Sequence, residues 1–316
     1  MEKTARGQII EEGKKRGIEV ISIVPDLIDA FSYNGHTEYL CKQFISKTSA
    51  AALYITNNKE ITKIFFKKAG LAVPEGESFG KTEVEDALAF AENLSWPLVM
   101  KPTASSKGDS VFANISDKEE FAKSWEQIAK KHEKILVEEM FEGEDYRIFS
   151  TQEKVIAATR RVPANVTGDG KRTIQELIQD KNTDDARLVQ IEVDNIVIDF
   201  LNKSGYNLDS IPEKDKTVFL RKNANISTGG DIIDVTDSIH DSVKELAVKA
   251  VKAIPGLMYG GVDLMTKDIT KKQSENSYTI LEINASASIK MHHFPTIGIP
   301  RNVAKAIIDI MFPETI

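Results

Sequence analysis

Residues 278–284 read YTILEIN and run on through 285–295 as ASASIKMHHFP. The first seven have the apolar, β-branched character of a buried strand. Glu282 and Asn284 are two apart, which on a strand means one shared face. A carboxylate left unpaired in a core is costly unless it loses its proton affinity to a cation or is neutralised. Something else in the chain has to compensate it.

Upstream, GGVDLM at 260–265 reads as a second strand, with Asp263 near its middle. If the two strands pair, Asp263, Glu282 and Asn284 offer three oxygen ligands from one face. Oxygen sets with few carboxylates suit Mg²⁺, which takes about six oxygens and keeps phosphates among them. A carboxylate capped by a lysine or by backbone amides is the competing explanation. PLVMKPTASSKGDSVF at 97–112 is a short strand ending in Lys101, followed by a loop containing Ser105, Ser106, Gly108 and Ser110. Small-residue loops of this kind present N–H groups and hydroxyls to phosphate oxygens, although an isolated one is more often a surface turn. VEEMFEGEDYR at 137–147 is a strand with Glu138, Glu139, Glu144 and Asp145 close together. TVFLRKNANISTGGD at 217–231 sets Arg221 before an Asn/Ser/Thr/Gly-rich loop, and arginine forks onto phosphate or carboxylate. His292 and His293 have no partner at metal-ligand spacing, which favours packing or a substrate contact over zinc.

The 316 residues carry a net charge of −7, one cysteine and 41% hydrophobic residues. The acidic balance argues against a general nucleic-acid binder. The single Cys41 allows no internal disulfide and suggests a reducing compartment. No run approaches the ~20 apolar residues of a membrane span, and the polar start MEKTARGQIIEEGKKRG lacks a signal-peptide core. The expectation is a cytoplasmic protein. Walker A, GxGxxG, CxxC, HExxH and GxSxG signatures are absent. Helix and strand patterns alternate in the manner of layered α/β or α+β folds. NKEITKIFFKKAG is helical with Gly70 as its stop. Thr82-x-x-Glu85 and Ser116-x-x-Glu119 read as capping boxes, YRIFS and KVIAATRRV as a hairpin around 152–154, and Pro300 as the first turn of a closing helix. Residues 168–216 read as polar and partly helical.

In order along the chain, NKEITKIFFKKAGLAVPEG, PLVMKPTASSKGDSV, VEEMFEGEDYRIF, RRVPANVTGDGKRTIQELI, LRKNANISTGGDIIDVTD, GGVDL and LEINASASIKMHHFPTIGIPRNVAKAI resemble the ATP-grasp carboxylate–amine ligases. The likeness covers about 58–312. It is closest to the ligase half of bifunctional glutathione synthetases and the ATP-grasp part of cyanophycin synthetases. It implies an α+β fold with ATP between two subdomains: a short α/β region at 1–58, a lid at 59–145 and a metal- and substrate-bearing part at 146–316. It implies Lys59 and Lys101 on the ATP phosphates, Ser105, Ser106 and Gly108 in the lid loop, and Glu138, Glu139 and Phe141 at an adenine hinge. Asp145, with Glu144 as a near alternative, falls to the ribose. Asp263, Glu282 and Asn284 fall to Mg²⁺, two ions with Mn²⁺ as a substitute. Arg221, helped by Arg160, Arg161 and Asn225, stabilises the reacting carboxyl. Lys290, His292 and Arg301 lie where acceptor specificity is set.

The implied activity is amide formation between an amino-acid or small-peptide carboxylate and an amine, through an acylphosphate, with ADP and phosphate released. The alternatives are a stand-alone glutathione synthetase, joining γ-glutamylcysteine to glycine, and a partner-dependent ATP-binding module acting on a protein or peptide terminus. The implied partners are small molecules and a second copy of the chain, with no nucleic acid and no membrane.

Overall fold

A computed structural model describes residues 4–103, 111–184, 187–224 and 226–316. The first unit is a helix, α1 (Ala5–Lys15), and an antiparallel meander of β1 (Glu19–Val24), β2 (Ile28–Tyr33), β3 (His36–Cys41) and β4 (Phe44–Ile45). The sequence pattern resolves only the helix and the first strand of this unit. The meander buries Phe31 and Leu40 inward, and its outer face leaves Ile21, Ile23 and Tyr39 exposed. The inner face also buries Asp29 and Glu38, and buried acids opposite exposed apolar residues hide the alternation that marks a half-buried strand.

Two helices follow, α2 (Ala50–Thr56) and α3 (Lys59–Lys68). Asn58 caps α3 by accepting from the Ile61 N–H at 3.1 Å, and Gly70 (φ +63°) ends it. The apolar face of α3, with Phe66 fully buried, packs into the core of the C-terminal part and not into the lid. Phe66 and Leu71, which fall within the expected lid at 59–145, share a buried cluster with Tyr146, Ile148 and Val262.

The lid is an antiparallel sheet of order β5–β8–β6–β7, built from β5 (Gly76–Gly80), β6 (Leu98–Pro102), β7 (Phe112–Ile115) and β8 (Lys134–Glu139). Helices α4 (Val84–Asn93) and α5 (Lys118–Ala129) cover one face, burying Phe121, Trp125, Leu98, Met100 and Val137. The capping boxes expected here are shifted. Asp117, not Ser116, caps α5, and Glu83 precedes α4 without a side-chain cap. The Glu83 carboxylate instead accepts from the Gly80 N–H at 2.6 Å.

The central sheet has the order β13–β10–β9–β14–β15, all antiparallel. Its strands are β9 (Glu144–Thr151), β10 (Val155–Val162), β13 (Asp231–Asp234), β14 (Tyr259–Thr266) and β15 (Tyr278–Asn284). Helices α2, α3 and α8 (Asp241–Ala253) pack against one face. The other face meets the N-terminal unit, α9 (Lys290–His293) and α10 (Val303–Met311) at one end. The closing helix starts at Val303 behind an Asn302 cap, because the Arg301 N–H is taken by the His292 carbonyl at 2.7 Å.

The polar stretch after β10 is a small unit with its own core: β11 (Asn165–Thr167), α6 (Ile174–Asn182), α7 (Asn195–Lys203) and β12 (Thr217–Phe219) around Ile178, Val197 and Leu201. Its α6 carries the genuine capping box, Thr173 with Glu176. Among the described residues no helix is long and apolar enough to cross a membrane.

Candidate active site

Register builds the site. On β9, Asp145 and Arg147 point one way, and directly opposed residues share that face. Asp145 pairs with Arg161 on β10, Arg147 pairs with Asp263 on β14, Asp263 pairs with Glu282 on β15, and Gly261 pairs with Asn284. A bulge at Leu281 shifts the β14–β15 register. Ile280 and Ile283 can then both face the core while Glu282 and Asn284 face the cleft.

The compensation sought for Glu282 comes first from Lys59, whose Nζ lies 3.5 Å from Oε2. Asn284 Nδ2 donates to Glu282 Oε1 at 3.0 Å. Asp263 is buried, and Arg147 grips it by Nε and by Nη2, the latter at 3.0 Å. Arg161 Nη2 stands 3.3 Å away. Burial pushes the Asp263 carboxyl up, but the Arg147 and Arg161 guanidinium groups outweigh it and hold it below the usual range. Burial works the other way on Arg161, and the charges of Asp263 and Asp145 overcome it and raise its affinity for the proton. Asp145 is pushed up by burial, with Arg161 offsetting part of that rise. Gly261 is required here. A Cβ at this position would stand 2.9 Å from Arg147 Cδ and 2.6 Å from Ala287 Cβ.

Across the cleft, Lys101 and Glu138 lie on the lid face away from its helices. Lys101 Nζ reaches Glu138 Oε2 at 2.5 Å, and Lys63 reaches the other oxygen. Lys63 also donates to the Pro74 carbonyl at 2.9 Å. Burial disfavours the Glu138 charge, yet the two ammonium groups outweigh it and depress its pKa; burial wins for Lys63 and lowers its own. Lys59 and Lys63 are one turn apart on α3, so one helix pins carboxylates of both sheets. The Glu139 N–H is taken by the Glu75 carbonyl at 2.9 Å, which leaves it unavailable to a nucleotide. Phe141 sits half-buried in the turn between β8 and β9.

Several expected residues stand elsewhere. Arg160 pairs with Tyr146 in the ladder and so projects to the opposite face from Arg161; it binds Glu144 at 2.7 Å. Strand parity excludes both Arg160 and Glu144 from the face of Asp263. Arg221 is buried in the small unit after β12, and its Nη2 donates to Asp194 at 2.7 Å. Arg301 is tied to Asp234 at 2.7 Å and Asp237 at 2.6 Å, which makes it a brace between β13 and the chain before α10. Lys290 is half-buried at the start of α9. Ser105, Ser106, Gly108 and Asn225 lie outside the described residues. Lys63 and Arg147 went unrecognised in the sequence. The signals available were Lys63 four residues after Lys59, and Arg147 two after Asp145.

His292 is fully buried, edge-on to Phe149 at 6.2 Å, and neither ring nitrogen has a partner. Burial, then the charges of Arg147 and His293, push it down to about 3. An unfolded histidine titrates near ~6.5. Between those values the unfolded chain takes up a proton that the folded chain refuses. Stability is therefore expected to fall as pH drops from about 6.5 toward 3, by ~1.4 kcal/mol per unit for this group. Urea titrations over that range should show a shallower pH slope for His292→Leu; an unchanged slope would assign the loss to other groups.

The donor set of Asp263, Glu282 and Asn284 is all oxygen, and Asn284 Oδ1 accepts no hydrogen bond among the described residues. No trio of His, Cys, Asp or Glu among those residues forms a ready metal cage. Two carboxylates and one carboxamide fit a hard divalent ion that takes its remaining ligands from phosphates and water.

No protein-family model matches the chain. It is 34% identical over 314 residues to a cyanophycin synthetase of Trichormus variabilis, covering 97% of this chain and 34% of the relative. It is 35% identical over 292 residues to the glutathione biosynthesis bifunctional protein GshAB of Enterococcus faecalis, covering 89% of this chain and 38% of the relative. The crystal structure of a bifunctional glutathione synthetase from Pasteurella multocida superposes with a TM-score of 0.75 at 32% identity, over 98% of this chain and 43% of that one. The fold of the chain is that of the ATP-grasp ligases. The chain spans between a third and a half of the length of those relatives. Its fold is the α+β arrangement expected, with two antiparallel sheets facing a cleft.

Proposed function

We propose that this chain is an ATP- and Mg²⁺-dependent ligase that joins the carboxylate of an amino acid or small peptide to an amine. The observation that carries the reading is the meeting of Asp263, Glu282 and Asn284 on one sheet face beside Lys59, opposite the Lys101–Glu138 pair of the lid. Phosphoryl transfer needs positioning and charge neutralisation more than a protein nucleophile, and these residues are lysines, an arginine-held carboxylate and oxygen ligands.

In the proposed reaction a substrate carboxylate oxygen bonds to the γ-phosphorus of ATP and ADP leaves. The amine nitrogen then bonds to the acyl carbon, and phosphate leaves as the amine loses its proton. A bound divalent ion supplies charge neutralisation between phosphate oxygens. Lys59 and Lys101 hold phosphates, Arg147 and Arg161 fix Asp263 in place, and Arg221, with Asn225 four residues on, reaches the reacting carboxyl from the small unit once Asp194 releases it. Glu138 and Phe141 form the nucleotide hinge, with Asp145 on the ribose once Arg161 releases it. The lid loop with Ser105, Ser106 and Gly108 covers the phosphates and excludes water. Lys290, half-buried at the start of α9, is the acceptor contact in this reading.

Glutathione synthetase activity is the second reading, favoured by the similarity to GshAB and to the bifunctional synthetase structure. Phosphate release from ATP and Mg²⁺, measured across a matrix of amino acids and γ-glutamyl peptides with mass spectrometry of products, decides between them. Release only with γ-glutamylcysteine plus glycine establishes the second reading. Release with another pair names the substrates. No release above background overturns both and shifts weight to a protein or peptide terminus as substrate. A homodimer belongs to the same proposal, and sedimentation velocity reads it directly.

A further inference from the structure

Arg160, displaced from the metal face by strand parity, opens into a separate cleft of about 440 Å³ between β13 and the β11–β12 ribbon. That volume falls within the ~300–1,000 Å³ of small-molecule sites. Its walls carry Arg160, Lys181 and Arg187 against Asp184 and Asp231, an excess of one positive charge.

The polar groups are built in and not splayed on the surface. Asp231 is 8% exposed and accepts from Asn165 Nδ2 at 2.8 Å, Lys181 Nζ at 2.7 Å and Arg187 Nη1 at 2.7 Å. Those three donors outweigh burial and hold it ionised. Arg187 also donates to the Gly229 carbonyl, in the loop that follows Arg221. The cleft and that loop thus share a wall. The Nε groups of both Arg160 and Arg187 are buried without a partner. Orphaned guanidinium donors are costly unless an acceptor arrives. Those Nε atoms are enclosed, so a carboxylate entering the cleft meets the solvent-facing part of the Arg160 guanidinium, whose side chain is 35% exposed, and guanidinium N–H groups fork onto carboxylates. With Glu144 on Arg160 that excess is balanced, and a near-neutral cleft disfavours a phosphate dianion more than a monoanion. At the rim, Phe219 is 44% and Ile297 56% exposed, apolar surface against which a side chain can lie.

We propose that this cleft is a binding subsite for the free carboxylate end of an amino acid or short peptide, with Arg160 as the carboxylate anchor and Phe219 and Ile297 holding the adjoining side chain. The proposal deepens the ligase reading and rests on it for the identity of the ligand as a substrate.

The test is saturation-transfer NMR of the purified chain, without ATP, against the twenty glycyl dipeptides with free C-termini and the same set amidated. Members of the free set should bind, and amidation or Arg160→Gln should each weaken them about tenfold or more. Binding of trinitrophenyl-ATP should change less than about twofold in Arg160→Gln, since the metal face is on the other side of the sheet. Phe219→Ala provides a second variant, expected to weaken binding with the Arg160–Glu144 pair intact. No binding by any free dipeptide, equal binding of the amides, or wild-type affinity in both variants would overturn the proposal. Arg160-dependent binding without turnover on any substrate pair would sink the ligase reading alone. Turnover with an unchanged carboxylate KM in Arg160→Gln would sink the subsite alone.

Discussion

Glu282→Gln is expected to lower turnover by about 10²-fold or more, the usual loss when a charge contact to the transition state is removed. The substitution keeps the shape of the side chain, which is about one-third exposed, so packing and fold stay intact. It removes the negative charge that faces Lys59 at 3.5 Å and lies directly across the ladder from Asp263. The Asn284 bond at 3.0 Å can persist to the amide oxygen. Steady-state turnover gives the main readout, and a divalent-ion titration of nucleotide binding gives a second. A loss confined to turnover and ion dependence, with an unaltered unfolding midpoint, is the outcome the assignment requires. Near-wild-type turnover would remove Glu282 from the metal set.

The second large effect is on stability. Glu138→Gln leaves the ammonium groups of Lys63 and Lys101 without their counter-charge in a site where the carboxylate is 2% exposed and the lysines 9% and 12%. Breaking one side of a buried ion pair typically costs about 3–5 kcal/mol, because the remaining charge is stranded. The lid should therefore loosen. Denaturant unfolding should show an earlier transition, and nucleotide affinity should fall as Lys101 loses its orientation. Adding Lys63→Met to Glu138→Gln should recover part of the loss, since it removes one stranded charge. A double variant no more stable than Glu138→Gln would show that Lys63 and Glu138 do not act as a pair. The sign with pH follows from the depressed pKa of Glu138. Its contribution is present above the ordinary carboxylate range and disappears as pH falls through the lower, folded value.

Glu282 and Asn284 were legible in the sequence because strand periodicity is local: two residues apart is one face, whatever the strand pairs with. The helix beginning at Lys59, the Gly70 stop, the 152–154 hairpin and the strands bearing Asp263 and Glu282 follow from similarly short-range rules. The N-terminal meander and the small unit at 164–220 escaped those rules. One buries Asp29 and Glu38 while exposing Ile21, Ile23 and Tyr39, and the other is built from short elements in a polar stretch. Cross-strand partnership is different in kind. Arg160 and Arg161 are neighbours in sequence, and only the pairing of β10 with β9 decides that Arg161 joins Asp145 and Asp263 while Arg160 faces away with Glu144. A one-residue slip would exchange them. Arg147 on Asp263 and Lys63 on Glu138 likewise join residues 116 and 75 positions apart. The sequence by itself determined which carboxylates, carboxamide and lysines the chain carries and which of them share a strand face. Tertiary structure decided which cations neutralise them, because charge compensation depends on distances of a few ångströms that only long-range register and packing set.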